Sequence, residues 1–228
     1  LFFVMLMMSI VSIAQKHNVV LIIADDLGVD ALNGYGINAT QATTPHLDSM
    51  RLSGVSFTKA WSTPVCTPTR AGMISGMYGS KTGVKTAPGN LDTSFTSIAK
   101  ALKAHDSNIG VGVVGKWHIS QPADELHPKY LGFDLYTGIL GAQWAAYDNW
   151  EKTENDVTTT STDYATTYFT DVSLGWIKQQ SNSWFLWLAH IAPHSPTHVP
   201  PAHMYTVKAT NTTAKKYRAM VESLDYEV

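Results

Sequence analysis

The chain has 228 residues, a hydrophobic content of 44% and a formal net charge of −2 at pH 7. A chain of this length can bury a sizeable core as one large domain, and its composition is that of an ordinary globular protein. The near-neutral charge and the lack of a basic stripe argue against a nucleic-acid partner.

The first fourteen residues, Leu1 to Ala14, are almost wholly apolar and end in Ser12-Ile13-Ala14. A small-x-small ending of this kind is typical of signal-peptide cleavage, and the run is too short for a membrane span. We therefore predict a partial signal peptide over 1–14 and a mature domain over 15–228. The predicted location is secreted or periplasmic (the secretory or lysosomal route in a eukaryote), without membrane attachment after cleavage. The alternative is a buried N-terminal strand or helix.

Three short apolar runs have the composition of buried strands: Val19 to Ala24, Ile109 to Val114, and Trp184 to Ala189. Polar residues able to carry chemistry follow each run, namely Asp25 and Asp26, Lys116 and His118, and His190 and His194. In open α/β sheets ligands bind beyond the carboxyl ends of the strands, so these groups are predicted to converge on one site.

Helical signals separate the strands. The predicted helices run from a Thr44 cap with Pro45 at the first position to Gly54, from Thr67 and Pro68 to Gly76, from about Thr93 to His105, from Tyr164 to Gln180, and from Thr213 to Leu224. The segment from Glu151 to Asp163 is rich in Thr, Asn and Asp, which predicts a surface loop near the substrate.

The single cysteine lies in a C-x-P-x-R pattern, Cys66-Thr67-Pro68-Thr69-Arg70. One cysteine cannot form an internal disulfide, so in an exported protein Cys66 is either chemically converted or buried as an inert small hydrophobe. The predicted helix places position 66 at a helix N-terminus, which favours a bound anion.

Two other residue patterns are candidates for metal binding. Asp25 and Asp26 offer the hard oxygen ligands that Ca²⁺ and Mg²⁺ prefer, although a strand-ending Asp-Asp pair alone is more often a turn or helix cap. The recurrence of His190, His194 and His198 suggests a zinc-binding helical face, but the intervening prolines argue against a continuous helix there.

Taken together, these motifs resemble the type I sulfatase family. The resemblance follows the family's order through Asn18 to Gly28, Thr44-Pro45-His46-Leu47-Asp48, Cys66 to Val84, Gly115-Lys116-Trp117-His118, and His190-Ile191-Ala192-Pro193-His194-Ser195-Pro196. It implies an α/β, alkaline phosphatase-like fold with a central, mostly parallel sheet flanked by helices. It also implies truncation at the C-terminus, because the family's further metal ligands and second active-site lysine lie downstream of the region represented in this sequence.

The resemblance assigns a role to each catalytic candidate. Cys66 becomes formylglycine through a formylglycine-generating or sulfatase-maturing enzyme, and Arg70 contacts the formylglycine hydrate. Lys116 and His118 hold the hydrate and the sulfate oxygens, with His118 as the base for sulfate elimination. His194 contacts sulfate and helps to protonate the leaving oxygen, whereas the role of His190 stays open.

The same resemblance implies that Asp25, Asp26 and position 66 hold a divalent metal, Ca²⁺ or Mg²⁺. The predicted function is hydrolysis of a sulfate monoester of a small molecule or carbohydrate. The alternatives are a phosphonate monoester or phosphodiester hydrolase of the same superfamily, and an inactive fragment that acts only as a folded module.

Overall fold

The computed structural model describes residues 17–37, 40–141 and 144–228. The predicted signal peptide over 1–14 and the predicted boundary at residue 15 lie outside the described residues. Among the helices of these three ranges, none is both long enough and apolar enough to cross a bilayer.

A six-stranded mixed sheet forms the centre of the fold, with strand order β1-β6-β2-β3-β4-β5. The strands are β1 (Val19–Ala24), β2 (Gly110–Lys116), β3 (Leu135–Ile139), β4 (Trp150–Glu154), β5 (Val157–Ser161) and β6 (Trp184–His190). The first four strands in the spatial order are parallel, and β4 and β5 are antiparallel to their neighbours. The predicted α/β class with a mostly parallel sheet is confirmed.

Seven α-helices accompany the sheet in the described part of the chain. They are α1 (Pro45–Ser53), α2 (Cys66–Ser75), α3 (Gly79–Thr82), α4 (Ile98–His105), α5 (His127–Tyr130), α6 (Ala165–Lys178) and α7 (Thr213–Glu227). The helix predicted from about Thr93 begins later, because the side chain of Ser97 caps it by accepting a 3.0 Å bond from the backbone N–H of Lys100.

The three apolar runs predicted as buried strands form β1, β2 and β6. Burial is confirmed for β2 and β6 but is wrong for β1, which lies at one end of the described strand order and has no buried residue. In β6, Phe185 and Trp187 pack into one layer with residues of α2 and α4, and Leu186 and Leu188 pack into the opposite layer with residues of α6 and α7. A strand covered by helices on both faces has no solvent-facing side. This is why β6 is continuously apolar.

The predicted surface loop from Glu151 to Asp163 is wrong, because most of this segment forms the β4–β5 hairpin. Its turn residues, Asn155 and Asp156, have φ values of +49° and +66°. Asn and Asp tolerate this left-handed region better than other residues with a Cβ. Four of the five residues of β5 are exposed, so the strand lacks the apolar run that marks buried strands.

Helix α1 has the predicted start and end, but Thr44 does not cap it through its side chain. The carboxylate of Asp225 on α7 instead accepts hydrogen bonds from the backbone N–H groups of His46 (3.2 Å) and Leu47 (2.7 Å). The free amides of the first turn are therefore satisfied from a distant helix.

Candidate active site

The carboxyl ends of three neighbouring strands lie at one edge of the sheet. Ala24 pairs in register with His190, and Gly115 pairs with Ala189, so β1, β6 and β2 end side by side. Asp25 follows β1, Lys116 ends β2, and the segment after β6 carries His194. With the exception of His190, the side chains predicted to converge from these strands lie at this end of the sheet, where α2 also begins.

A buried trio of charged side chains forms the floor of the site. Lys116 donates a hydrogen bond through Nζ to Oδ2 of Asp25, and Arg70 Nη2 lies 3.5 Å from Oδ1 of the same carboxylate. The three side chains are at most 5% exposed. Burial alone would raise the pKa of Asp25, but the opposing charges of Arg70 and Lys116 outweigh it and hold the pKa below its ordinary value. Asp25 is thus an ionised carboxylate.

The guanidinium group of Arg70 makes one hydrogen bond to the backbone, and one of its terminal nitrogens has no hydrogen-bond partner in the described structure. Its Nη1 donates to the backbone carbonyl of Lys116 at 2.5 Å. Its Nη2 is buried without a hydrogen-bond partner among the described atoms. An unsatisfied buried donor of a charged group costs free energy, so this nitrogen suits an oxygen atom near position 66.

Cys66 is the first residue of α2 and Val65 is its cap, two positions earlier than the cap predicted at Thr67. Its Sγ lies 3.1 Å from Nδ1 of His118 and 3.6 Å from Nζ of Lys116. Thr67 is therefore inside the helix, where its Oγ1 lies 3.3 Å from each ring nitrogen of His118. The thiol is partly exposed and lies between a cation and an imidazole.

His118 lies two residues after the end of β2 in a left-handed conformation, with φ of +58°. Its backbone N–H donates to the carbonyl of Leu140 at 2.9 Å, which holds the ring towards Cys66. Burial, and then the positive charges of Lys116 and Arg70, lower the pKa of His118 to about 4. The imidazole is neutral at pH 7 and has a nitrogen that can accept a proton.

His194 lies next to Asp26. Its Nε2 is 3.5 Å from Oδ2 of Asp26, whose side chain is 62% exposed. The hydroxyl of Tyr147 donates to the backbone carbonyl of His194 at 2.7 Å. The ring of Trp144 lies 5.0 Å from that of His194 and 5.2 Å from Nζ of Lys116.

Sequence reasoning missed Trp144 and Tyr147, although both touch predicted site residues. The signal was the W-x-x-Y spacing of two large aromatics shortly after β3. Read without the fold, such a pair indicates only core packing. Trp144 borders the site because the loop after β3 returns over the end of β2.

His190 is separate from this cluster. Its side chain is fully buried, neither ring nitrogen has a hydrogen-bond partner in the described structure, and its nearest aromatic ring is Phe169 at 6.3 Å. Burial lowers the pKa of His190 to about 4. His198 instead stacks on Tyr147 at 4.2 Å. The three-histidine zinc site suggested by the spacing is therefore wrong.

The predicted metal ligands supply only part of a coordination shell. Asp25 and Asp26 bring hard carboxylate oxygens to the cationic end of the sheet, and the left-handed φ of +60° at Asp26 turns the chain there. Across the described ranges no group of three or more His, Cys, Asp or Glu side chains could hold an ion. Ca²⁺ takes six to eight oxygen ligands, so these two residues fit a hard cation as part of a larger set.

Comparison with solved structures defines the class of the fold. A chain described as Ps i-CgsB in complex with k-i-k-neocarrahexaose matches with a TM-score of 0.80 and 26% identity, covering 93% of this chain and 53% of that one. A chain described as yidJ from Bacteroides fragilis matches with a TM-score of 0.73 and 20% identity over 93% of this chain and 57% of that one. The fold is alkaline phosphatase-like.

The chain belongs to the sulfatase family, whose model matches residues 17–228. The N-acetylgalactosamine-6-O-sulfatase of Bacteroides thetaiotaomicron is 43% identical over 46% of this chain and 21% of that protein. Arylsulfatase J of Mus musculus is 27% identical over 93% of this chain and 38% of that protein. The chain thus spans well under two thirds of the length of these relatives.

Proposed function

We propose that this protein hydrolyses a sulfate monoester at position 66. The observation that carries the proposal is the contact of Cys66 Sγ with His118 and Lys116 at the first turn of α2, in a member of the sulfatase family. Helix N-termini favour anions, and two buried cations oppose one buried carboxylate here. A sulfate group would find positive charge on two sides.

The reactive group at position 66 would be a formylglycine made from Cys66 by a maturing enzyme. Such a group supplies a hydrated aldehyde, in which one hydroxyl attacks sulfur and the other permits departure of sulfate by elimination, an exit that neither Ser nor Cys offers. The unpartnered Nη2 of Arg70 and the nearby Nζ of Lys116 are the donors that would hold its oxygens.

His118 and His194 would move protons in the proposed reaction. His118 is neutral at pH 7 and its Nδ1 faces position 66, so it is the proposed base for sulfate elimination. His194 is partly exposed beside Asp26 and is the proposed contact for sulfate and for the leaving oxygen.

Asp25 and Asp26 would hold a divalent cation, Ca²⁺ or Mg²⁺, that offsets the charge of the bound sulfate. The substrate is proposed to be a sulfated small molecule or carbohydrate. Relatives named for N-acetylgalactosamine 6-sulfate, for steryl sulfate and for aryl sulfates support the ester class, and their variety leaves the alcohol open. The proposed location is secreted or periplasmic.

Paired assays would test the reaction. Protein from a host that contains a sulfatase-maturing enzyme is assayed with 4-nitrophenyl sulfate and with bis(4-nitrophenyl) phosphate, and its Cys66 peptide is measured by mass spectrometry. We expect conversion of the thiol to an aldehyde, a clear preference for the sulfate ester, and loss of turnover in Cys66→Ala.

Preference for the diester would favour the phosphorus-ester hydrolase instead. An aldehyde at position 66 without turnover of either ester would favour a folded module without activity. Full turnover by protein with an unmodified thiol would falsify the proposed chemistry.

A further inference from the structure

A cleft of about 730 Å³ opens beside His118, between the β4–β5 hairpin, the end of β3 and the segment 118–122. Its size is within the range of roughly 300–1,000 Å³ that is usual for small-molecule sites. Of the charged and nucleophilic cluster around Cys66, only His118 contributes to its lining within the described residues. The cleft therefore adjoins the reaction site and extends away from it.

Part of the cleft wall is apolar and rigid. Pro88, Pro122, Ile139 and Leu140 line it, and the last two are at most 4% exposed. Such a surface packs against C–H groups of a ring and loses little side-chain freedom when a ligand binds.

The Thr and Ser hydroxyl groups of the cleft already donate their protons to hydrogen bonds within the protein. Thr158 Oγ1 donates to Oε1 of Glu125 at 3.2 Å, so the 2.8 Å bond between Thr153 and Thr158 must take its proton from Thr153. Ser120 Oγ donates to the backbone carbonyl of Gln121 at 3.0 Å. A hydroxyl has one proton, so all three offer a ligand only lone pairs.

Glu151 adds a carboxylate to the same wall. It lies two residues before Thr153 on β4, and both residues line the cleft, as the two-residue period of a strand requires. No Lys or Arg is present among the lining residues that the structure describes, and the side-chain amide of Gln121 is the neutral donor. The cleft is thus rich in acceptors and carries negative charge.

We infer that the alcohol portion of the sulfate ester occupies this cleft, and that the cleft selects a polyhydroxylated group without a second anionic substituent, with Glu151 setting this preference. The inference rests on the proposed function. Hydroxyl groups of a sugar donate to the Thr, Ser and Glu acceptors while the ring packs on the apolar wall. A second sulfate or a carboxylate would face Glu151, and no Lys or Arg among the described lining residues would pair with it.

Kinetics with three esters would test this inference: 4-nitrophenyl sulfate, a galactoside 6-sulfate, and the same galactoside with a second sulfate. We expect the wild-type protein to favour the monosulfated over the disulfated sugar by about tenfold in kcat/KM. Glu151→Gln should raise KM for the monosulfated sugar about fivefold more than KM for the aryl ester. Glu151→Lys should reverse the preference between the two sugars.

The matched control is Glu154→Gln. Glu154 is on the same strand but on the other face, where it pairs with Lys152 at 3.2 Å, so its loss should leave all three ratios unchanged. An equal effect of Glu151→Gln and Glu154→Gln, or a wild-type preference for the disulfated sugar, would overturn the inference while the aryl ester still reports the sulfatase reaction.

A binding measurement separates the two proposals if no ester is turned over. Saturation-transfer NMR with the unsulfated methyl galactoside needs no chemistry at position 66. We expect a signal in the wild-type protein and in Glu154→Gln that is weakened in Glu151→Gln. Absence of the wild-type signal would refute the cleft assignment independently of catalysis.

Discussion

Asp25 is the residue on which the charge balance of the buried site depends. Its carboxylate faces both Lys116 and Arg70, and these three side chains are almost wholly excluded from solvent. Removal of one partner from a buried ion network leaves a charge without compensation, which costs more than the network itself contributes. The trio therefore makes stability and the proposed catalysis depend on the same atoms.

We predict that Asp25→Asn lowers the free energy of unfolding by about 3 kcal/mol, because Lys116 and Arg70 then repel each other in a dry site. Urea unfolding measures the change. Asp26→Asn is the matched control: that side chain is 62% exposed, so the expected loss is below about 0.5 kcal/mol. Equal losses in the two variants would show that the trio is not stabilising.

His190 predicts a pH dependence of stability. The pKa of His190 is about 4 in the folded protein, whereas the ordinary value of a histidine, expected in the unfolded chain, is 6.5. Between these two pH values the unfolded chain therefore binds more protons than the folded one. Above pH 6.5 the imidazole is neutral in both the folded and the unfolded chain. As the pH decreases from 6.5 to about 4, the free energy of unfolding falls by on the order of 3 kcal/mol in total.

His190→Leu should remove this part of the acid sensitivity, which unfolding in urea at pH 7 and pH 5 would measure. The exposed His105 is the control, and His105→Gln should keep the wild-type difference between the two pH values. An unchanged difference in His190→Leu would mean that His190 is not the group that titrates on unfolding.

At the scale of elements, α7 holds the beginning of α1. Asp225 accepts two backbone hydrogen bonds from the first turn of α1. Glu222 accepts one from the backbone N–H of Thr43 at 2.9 Å and two from Thr206, through its backbone N–H and its hydroxyl. Both carboxylates are buried. Carboxylates of α7 thus accept hydrogen bonds from backbone N–H groups at the start of α1, which have no acceptor in their own segment.

We predict that Asp225→Asn destabilises the protein by about 2 kcal/mol, since one capping acceptor becomes a donor facing backbone N–H groups. Thr44→Val should be neutral or slightly stabilising, because the Thr44 hydroxyl is buried without a hydrogen-bond partner in the described structure. Thermal unfolding compares the two variants. A larger loss of stability in Thr44→Val than in Asp225→Asn would instead indicate that Thr44 caps α1.

The β4–β5 hairpin depends on its turn. Asn155 has φ of +49°, a conformation in which a β-branched side chain is strained. Asn155→Val should therefore cost about 1 kcal/mol, whereas Asn155→Gly should be neutral. Urea unfolding of both variants checks the prediction, and equal stability of Val and Gly would contradict the left-handed turn.

At the scale of the whole molecule, the site is built from segments far apart in sequence, so an anion bound there should stabilise the entire fold. Inorganic sulfate at ten times its dissociation constant should add about 1.4 kcal/mol to the free energy of unfolding. In Lys116→Met, the saturable part of this stabilisation by sulfate should be lost, and the general salt effect of sulfate should remain. A wild-type response without saturation would argue against an anion site.

The sequence by itself determined that β1, β2 and β6 are strands, that β2 and β6 are buried, and which polar residues follow them. Continuous apolar runs are a local property of a strand covered on both faces, so they can be read without the fold. The exposed strand β5 lacks this signal, and the hairpin was therefore missed. Local turn chemistry at Asn155 and Asp156 would have indicated it.

Only the tertiary structure decided which groups meet. Lys116 bonds to Asp25 across 91 residues, and Asp225 bonds to Leu47 across 178. It also separated His190, which faces the core, from His194, which faces the site, although they are four residues apart. The local sequence pattern predicts which residues follow the end of a strand. Strand pairing and side-chain burial depend on long-range packing, which no segment encodes alone.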